Sequence, residues 1–175
     1  MIAAKALPPS VTVPPRAAIA SLVLAVLAIG GAWYSQLVWG LRPCELCLLQ
    51  RWPYYVGVPL AALAIVAAAA PGRRCGIVAL VLALLALVFL VSAGLGVYHA
   101  GVEWGFWAGP SACTGQYAAP ASTDDFLKSL EAGPSVRCDE AAIRILGLSL
   151  AGWNAFVSLL IAAIAAAGAK AARRG

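Results

Sequence analysis

Long apolar runs alternate with polar segments along the whole chain. The runs fall at about 17–38, 52–70, 77–98 and 146–169. Each is long enough to cross a bilayer as an α-helix, which needs about 20 residues. Between them lie polar loops at 39–51 and 99–145 and a tight turn at 71–76. The pattern predicts an all-α membrane protein, a bundle of four transmembrane helices with both termini on the same side.

The composition supports this interpretation. Of 175 residues, 63% are hydrophobic and 11% are charged, whereas about 25% are charged in a typical soluble domain. A water-soluble core of this size could not bury so much apolar surface, so we interpret residues 1–175 as a single integral membrane domain. A cleaved signal peptide is the alternative for the first run, but Trp33 and Tyr34 stand where a small-residue cleavage site would be.

Charged residues are sorted between the two sides of the predicted bundle. The side with the termini carries only basic residues: Lys5, Arg16, Arg73, Arg74, Lys170, Arg173 and Arg174. The acidic residues all fall on the opposite side: Glu45, Glu103, Asp124, Asp125, Glu131, Asp139 and Glu140. Because excess Lys and Arg mark the cytoplasmic face, both termini are expected in the cytoplasm and the long loop between helices 3 and 4 outside. The net charge of +5 is then a topology signal, and no nucleic-acid partner is expected.

The same orientation divides the five cysteines. Cys44, Cys47, Cys113 and Cys138 fall outside, and Cys75 falls inside, as is typical of paired disulfides in the oxidising compartment. Cys113 and Cys138 could be a structural disulfide. The Cys44–Cys47 ring is too short to constrain much of the unfolded chain, which favours a redox pair. A four-thiolate zinc site is a third interpretation, but Cys113 and Cys138 supply no second Cys-x-x-Cys knuckle, so we expect no metal.

Two residues close to the Cys-x-x-Cys pair could act with it. Arg51 follows Cys47 by four residues, so its charge could stabilise a thiolate on Cys47 or a reduced electron acceptor. The alternative is an interfacial arginine that extends its charge into water. His99 closes the third run at the same level, either as an interfacial residue or as a participant in proton transfer.

Small residues on the last two runs predict close helix packing. Ser92 and Gly96 on the third run, and Gly147, Ala151 and Ala155 on the fourth, are spaced four residues apart, a spacing that lets membrane helices approach each other. Asn154 is a polar residue within the fourth run, and we expect it to form a hydrogen bond to another helix.

Taken together, the motifs resemble the disulfide bond formation protein B family (DsbB), bacterial inner-membrane thiol oxidases. The resemblance covers nearly the whole chain, and four cysteines in this order between four spans are its most specific part. It rests on Arg42-Pro43-Cys44-Glu45-Leu46-Cys47 with Gln50-Arg51, Tyr98-His99, Gly101-Val102-Glu103-Trp104, Gly109-Pro110 before Cys113, Cys138 followed by Leu146-Gly147-Leu148-Ser149, and Trp153-Asn154.

The resemblance implies a relay of electrons through two disulfides. Cys113 and Cys138 would form a mobile outer disulfide that meets a soluble periplasmic thioredoxin-like thiol oxidase (DsbA-like), with the first attack at Cys113. Cys44 and Cys47 would form the inner pair, and these four cysteines would be catalytic. Cys75 has no role that the family assigns.

The resemblance also implies a cofactor and a location. A quinone, ubiquinone or menaquinone, would bind beside Cys47, Arg51 and His99 and would exchange with the quinone pool of the lipid bilayer. The protein would lie in the bacterial inner membrane with its active cysteines in the periplasm.

Two other classes of protein stay open from the residues alone. One is a non-enzymatic four-helix membrane protein with structural disulfides. The other is an oxidoreductase of the vitamin K epoxide reductase type, which also has four spans and a Cys-x-x-Cys, although there the pair lies near the last span and not between the first two.

Overall fold

The structure, a computed structural model, describes residues 9–70, 75–110, 122–124, 127 and 136–174. The elements that are described over their full length are five helices and one β-hairpin, and residues 123, 124 and 127 are helical as well. In chain order these are α1 (Pro9–Leu37), α2 (Glu45–Leu49), α3 (Trp52–Ala69), α4 (Cys75–Glu103), β1 (Arg144–Ile145), β2 (Leu148–Ser149) and α5 (Leu150–Ala172). Four of the helical segments in this part of the chain are long and apolar enough to cross a membrane. The predicted four-helix membrane fold is confirmed.

The four long helices pack in a ring. α4 packs against α5, α5 against α1, α1 against α3, and α3 against α4. The contact between α4 and α5 is the most extensive, and α1 and α4 hardly touch. Small side chains such as Ala18, Ala61, Ala64 and Ala165 fill the interior, and many large apolar side chains, such as Leu87, point outward. Small residues inside and large apolar residues outside are typical of helices that face lipid.

Glycines allow some of the helices to approach each other closely. A Cβ atom on Gly96 of α4 would lie 2.7 Å from the backbone nitrogen of Ala155 on α5. A Cβ atom on Gly168 of α5 would lie 2.6 Å from the Cβ of Ala17 on α1. The close helix contact predicted at Gly96 and at Ala155 is therefore confirmed, and the two residues contact each other. The same prediction for Gly147 is wrong, because Gly147 lies in a turn before the last helix.

A short helix carries the Cys-x-x-Cys pair at one end of the bundle. Cys44 is the N-cap of α2, and its Sγ accepts a hydrogen bond from the N–H of Cys47 at 3.2 Å. α2 ends at Leu49 because Pro53 has no N–H to continue the helical ladder, and α3 then begins at Trp52 with this proline in its first turn. Cys47 consequently lies on α2, whereas Arg51 is the N-cap of α3.

A β-hairpin leads into the last membrane helix. The turn residues Leu146 and Gly147 have φ angles of 53° and 83°, which a helix cannot include. α5 therefore begins at Leu150 and not near 146, and the Ser149 hydroxyl caps it by accepting from the N–H of Gly152 at 3.2 Å. We call the end of the bundle that holds α2, the last turn of α4 and this hairpin the cysteine end, and the opposite end, where α1 begins and α5 ends, the terminal end.

Candidate redox site at the cysteine end

Cys44, Cys47 and His99 lie together at the cysteine end. The Sγ atoms of Cys44 and Cys47 are 2.8 Å apart, and both cysteines are free thiols. Nε2 of His99 is 3.6 Å from Cys44 Sγ, and the His99 side chain is only 3% exposed. The first turn of α2 and the last turns of α4 thus place a dithiol against an imidazole.

The pKa of Cys44 is raised from its ordinary value. The largest cause is the hydrogen bond that its thiol donates to Cys47 Sγ, and the second is burial, which disfavours the charged form. Cys44 is therefore the member of the pair that keeps its proton, and Cys47 is the partly exposed member whose sulfur accepts the hydrogen bond.

Cys138 packs against this dithiol. It is fully buried in one apolar cluster with Cys44, Leu46 and Val102, and Cys47 lies against the same cluster. Cys138 is disulfide-bonded, so a disulfide sulfur stands beside two free thiols. Cys113, its partner according to the sequence interpretation, lies outside the described residues.

Arg51 lies close enough to Cys47 for its charge to act on that thiol, and its hydrogen bonds reach toward α1. Its Nη1 donates to Gln36 Oε1 at 2.7 Å and its Nη2 to the carbonyl oxygen of Ala32 at 3.4 Å. Its guanidinium carbon also lies 5.1 Å from the ring centre of Trp33. The side chain is 8% exposed, which places the charge inside the protein and close to α1, and not at the surface in contact with water.

A hydrogen-bond chain connects His99 to the last helix. Gln50 Nε2 is 2.6 Å from His99 Nδ1, and Asn154 Nδ2 donates to Gln50 Oε1 at 2.6 Å. With Gln50 as donor, Nδ1 accepts and the His99 proton lies on Nε2. This nitrogen faces Cys44 Sγ and is the one left to bond to the backbone of Cys138. The expected hydrogen bond from Asn154 to another helix is confirmed, and its acceptor is a residue beside the redox pair.

The chain continues into the bundle. The Tyr54 hydroxyl donates to Asn154 Oδ1 at 2.6 Å and is 3.1 Å from Ser158 Oγ. Ser158 in turn donates to Ser92 Oγ at 2.9 Å. Hydrogen bonds therefore link α2, α3, α4 and α5, and they fix the height of His99 relative to the dithiol.

A buried carboxylate completes the surroundings. Glu103 stands one turn after His99 on α4, its side chain is 5% exposed, and its Oε1 is 3.9 Å from His99 Nε2. Among the described residues its Oε2 has no hydrogen-bond partner.

Three of the residues that sequence reasoning selected, Cys44, Cys47 and His99, come together, with Cys138 packed beside them. Arg51 hydrogen-bonds to α1, and its charge also acts on Cys47, as the sequence predicts. Sequence reasoning missed Gln36, Gln50 and Glu103 as members of the site. The available signal was their chemistry: each is a polar residue at the end of an apolar run, where an unpaired polar group is costly.

Comparison with known proteins agrees with this geometry. Residues 14–168 match the family model of Disulfide bond formation protein DsbB. Disulfide bond formation protein B 1 of Pseudomonas putida is 36% identical over 78% of this chain and 77% of its own, and the protein of the same name from Pseudomonas syringae is 37% identical over 77% and 78%. Uncharacterized protein RP370 of Rickettsia prowazekii is 24% identical over 80% of this chain and 78% of its own. No solved structure matches the chain. The chain is a multi-pass membrane protein that belongs to the DsbB family of disulfide bond formation proteins.

Proposed function

We propose that the protein is a dithiol:quinone oxidoreductase of the bacterial inner membrane. It reoxidises a periplasmic thioredoxin-like thiol oxidase and passes the electrons through two disulfides to a membrane quinone. In this proposal the cysteine end faces the periplasm and the terminal end the cytoplasm, as the charge bias favours.

The observation that carries the proposal is the neighbourhood of three sulfur atoms. Two free thiols, 2.8 Å apart, lie in one buried cluster with Cys138, which is in a disulfide. Thiol–disulfide exchange needs a thiolate that can reach a disulfide sulfur. A disulfide at Cys138 with a purely structural role would not need the open dithiol of Cys44 and Cys47 packed against it.

Burial of Cys138 favours entry through Cys113. A soluble partner cannot reach a sulfur atom that is fully buried, so the partner's thiolate attacks Cys113 and breaks the Cys113–Cys138 bond, leaving a thiolate on Cys138. The partner's second thiol then displaces Cys113 and leaves with a disulfide. Both outer cysteines are now reduced.

The buried cluster would serve the exchange between the two pairs. Cys138 attacks Cys44 and breaks its bond to Cys47, which leaves as a thiolate. Cys113 then attacks Cys138, restoring the outer disulfide and releasing Cys44. Nε2–H of His99, 3.6 Å from Cys44 Sγ, stabilises this leaving sulfur by hydrogen bonding until the sulfur takes a proton. The raised pKa of Cys44 favours that protonation.

The residues around Cys47 fit a lipid-soluble electron acceptor. Leu48, Leu49 and Trp52 are exposed apolar side chains beside Cys47. Arg51 donates hydrogen bonds to α1 through Nη1 and Nη2, but a guanidinium has five N–H donors, so these two bonds do not use all of them. Cys47 and Arg51 would hold the quinone ring, with His99 behind the dithiol. The chemistry supplied by a bound quinone is the acceptance of two electrons and two protons when the dithiol closes to a disulfide.

Anaerobic mixing of the purified protein with a quinone and a reduced thioredoxin-like partner tests the proposal. We expect loss of quinone absorbance together with partner oxidation, one quinone for each disulfide formed. Partner oxidation without quinone reduction, or no reaction with any quinone, would contradict it.

A further inference from the structure

Cys44, Cys47 and His99 also have the arrangement of a metal site. Their ligand atoms all lie within 4.8 Å of one another. In a tetrahedral zinc site, bond lengths of about 2.3 Å to sulfur and 2.0 Å to nitrogen put neighbouring sulfur and nitrogen ligands roughly 3.5 Å apart. The 3.6 Å between Cys44 Sγ and His99 Nε2 already matches that edge.

The sulfur pair needs only a small adjustment. Two thiolates on one zinc ion stand roughly 3.8 Å apart, whereas the two Sγ atoms are 2.8 Å apart while they share a hydrogen bond. Cys47 is the less buried of the two, so rotation of its side chain can open the pair. Cys44 Sγ keeps the hydrogen bond from the N–H of Cys47, which also stabilises negative charge on sulfur.

Glu103 supplies an independent indication of a cation. Its side chain is nearly buried, its Oε1 is 3.9 Å from His99 Nε2, and its Oε2 has no partner in the described part of the chain. Glu103 also hydrogen-bonds to the Ser149 hydroxyl and interacts with the positive charge of Arg144. His99 and Glu103 are one helical turn apart, so both face α2. Glu103 is not in the group whose ligand atoms lie within 4.8 Å of one another, so its side chain must rotate toward the dithiol for a carboxylate oxygen to become the fourth zinc ligand.

Gln50 can support metal binding by accepting a hydrogen bond from the other ring nitrogen of His99. If Nε2 of His99 binds a metal, its proton lies on Nδ1, which then needs an acceptor. Gln50 lies 2.6 Å from Nδ1 through its amide, and rotating that amide presents its oxygen in the same place. Asn154 can rotate its own amide to match, since the Tyr54 hydroxyl both donates and accepts.

We propose that the reduced protein binds one Zn²⁺ through Cys44 Sγ, Cys47 Sγ and His99 Nε2, with the Glu103 carboxylate as the fourth ligand. Binding releases the two thiol protons and involves no change of oxidation state. Because both thiolates are then metal ligands, the loaded form resists closure to the disulfide. This site differs from the four-thiolate site considered from the sequence, since it needs neither Cys113 nor Cys138.

Titration of the reduced full-length protein with Co²⁺, followed by displacement with Zn²⁺, tests the site. We expect one ion per chain, with sulfur-to-cobalt charge transfer and the visible bands of a tetrahedral ion. Changing His99→Ala should weaken binding more than about 100-fold, and Gln50→Met about 10- to 100-fold, as for loss of a partner of a metal ligand. Cys113→Ser should bind as the unmodified protein does.

X-ray absorption at the zinc edge provides a readout that needs no variant. Two sulfur and two lighter ligands support the proposal. Four sulfur ligands, loss of binding in Cys113→Ser, retention of full affinity in His99→Ala, or binding no tighter than that of a small free dithiol would each overturn it.

The protective effect rests on the proposed function and is measured separately. Added Zn²⁺ should slow quinone reduction by the reduced protein, and a chelator should restore it. Quinone reduction that is unaffected by saturating Zn²⁺ would overturn the protective effect. If the protein reduces no quinone at all, the proposed function fails while the cobalt titration still decides the metal site.

Discussion

The cysteine end and the terminal end belong to the same helices but differ in what fills their interiors. Near the terminal end the buried residues are small or aliphatic: Ala18, Ala68, Val78, Leu82, Ala165, Ala169 and Ala172. Near the cysteine end they include the polar residues Gln50, Arg51, His99 and Ser149, which lie beside the apolar cluster that holds Cys44 and Cys138. Hydrogen bonds between membrane helices contribute little stability on average. The contrast therefore indicates that the terminal end holds the bundle together and that the polar residues of the cysteine end position reactive groups.

The largest expected difference between the two ends concerns their thiols. Cys47→Ser should abolish oxidation of the partner, because the inner dithiol can no longer close. Cys75→Ser should leave it intact, since Cys75 begins α4 and His99 lies 24 residues further along that helix, about 36 Å away. Steady-state partner oxidation at equal expression measures both. Loss of activity in the Cys75 variant alone would contradict the assignment of the two ends.

Arginines at the two ends of the bundle provide the next comparison. Arg51→Ala should lower kcat/KM for quinone roughly 10- to 150-fold, the effect of losing one charge-assisted contact of about 1.5–3 kcal/mol. Arg51→Lys should recover part of it, because lysine keeps the charge but not the planar fork. Arg16→Ala, an exposed arginine of α1 at the terminal end, is the control.

The two half-reactions should be measured separately in the Arg51→Ala protein. Exchange between the partner and the outer disulfide should be unchanged, because that step does not involve the guanidinium. Unaltered quinone kinetics would show that Arg51 only ties α3 to α1 through Gln36 and Trp33.

Two glycines of α4 test whether the cysteine end also depends on close packing between helices. Gly96→Ala should destabilise the bundle by about 1–3 kcal/mol, because the new methyl group would meet the backbone of Ala155. Gly94→Ala should stabilise it by about 0.5–1 kcal/mol, since nothing lies within 4 Å of that position and alanine is the better helix former. Thermal unfolding in detergent measures both; equal effects would contradict the packing of α4 on α5.

The pH dependence of alkylation sharpens the picture of the dithiol. The pKa of Cys44 is raised by its hydrogen bond to Cys47 and by burial, so the folded protein holds this proton more tightly than the unfolded chain does. Stability is therefore lost as the pH rises above about 8.5, the pKa of an unfolded cysteine. At pH 8.5 Cys44 should alkylate at least about tenfold more slowly than a cysteine peptide, as measured by mass spectrometry. A rate equal to that of the peptide would show that Cys44 is not the protonated member.

The smallest expected effects concern buried serines. Ser158→Ala should cost about 0.6 kcal/mol, the average for a hydrogen bond between membrane helices, because it removes the link between Tyr54 and Ser92. Ser21→Ala on α1 should be neutral or stabilising, because among the described residues its buried hydroxyl has no partner. Unfolding in detergent again measures both changes, and a larger loss for Ser21 would reverse the comparison.

Much of the fold could be predicted because a membrane leaves few choices. Four apolar runs, each about 20 residues or more, can only become helices that satisfy their own backbone. The N-terminal boundary of the last helix was harder to predict, since Leu146–Leu148 is apolar but its positive φ angles come from a turn. The contacts of Arg51 and Gln50 could not be predicted, because they depend on which helices are neighbours, and hydropathy carries no information about that.

Complete burial of Cys138 beside Cys44 has a consequence for selectivity. Small soluble thiols are abundant in cells, and a sulfur relay open to water would let them short-circuit the transfer. In the proposed relay, the burial of Cys138 would leave Cys113 as the point at which a thiol from solution attacks the outer disulfide, so a protein that can engage Cys113 would be favoured over small thiols. The same packing that holds the sulfur atoms together thus also shields Cys44 and Cys138 from solvent.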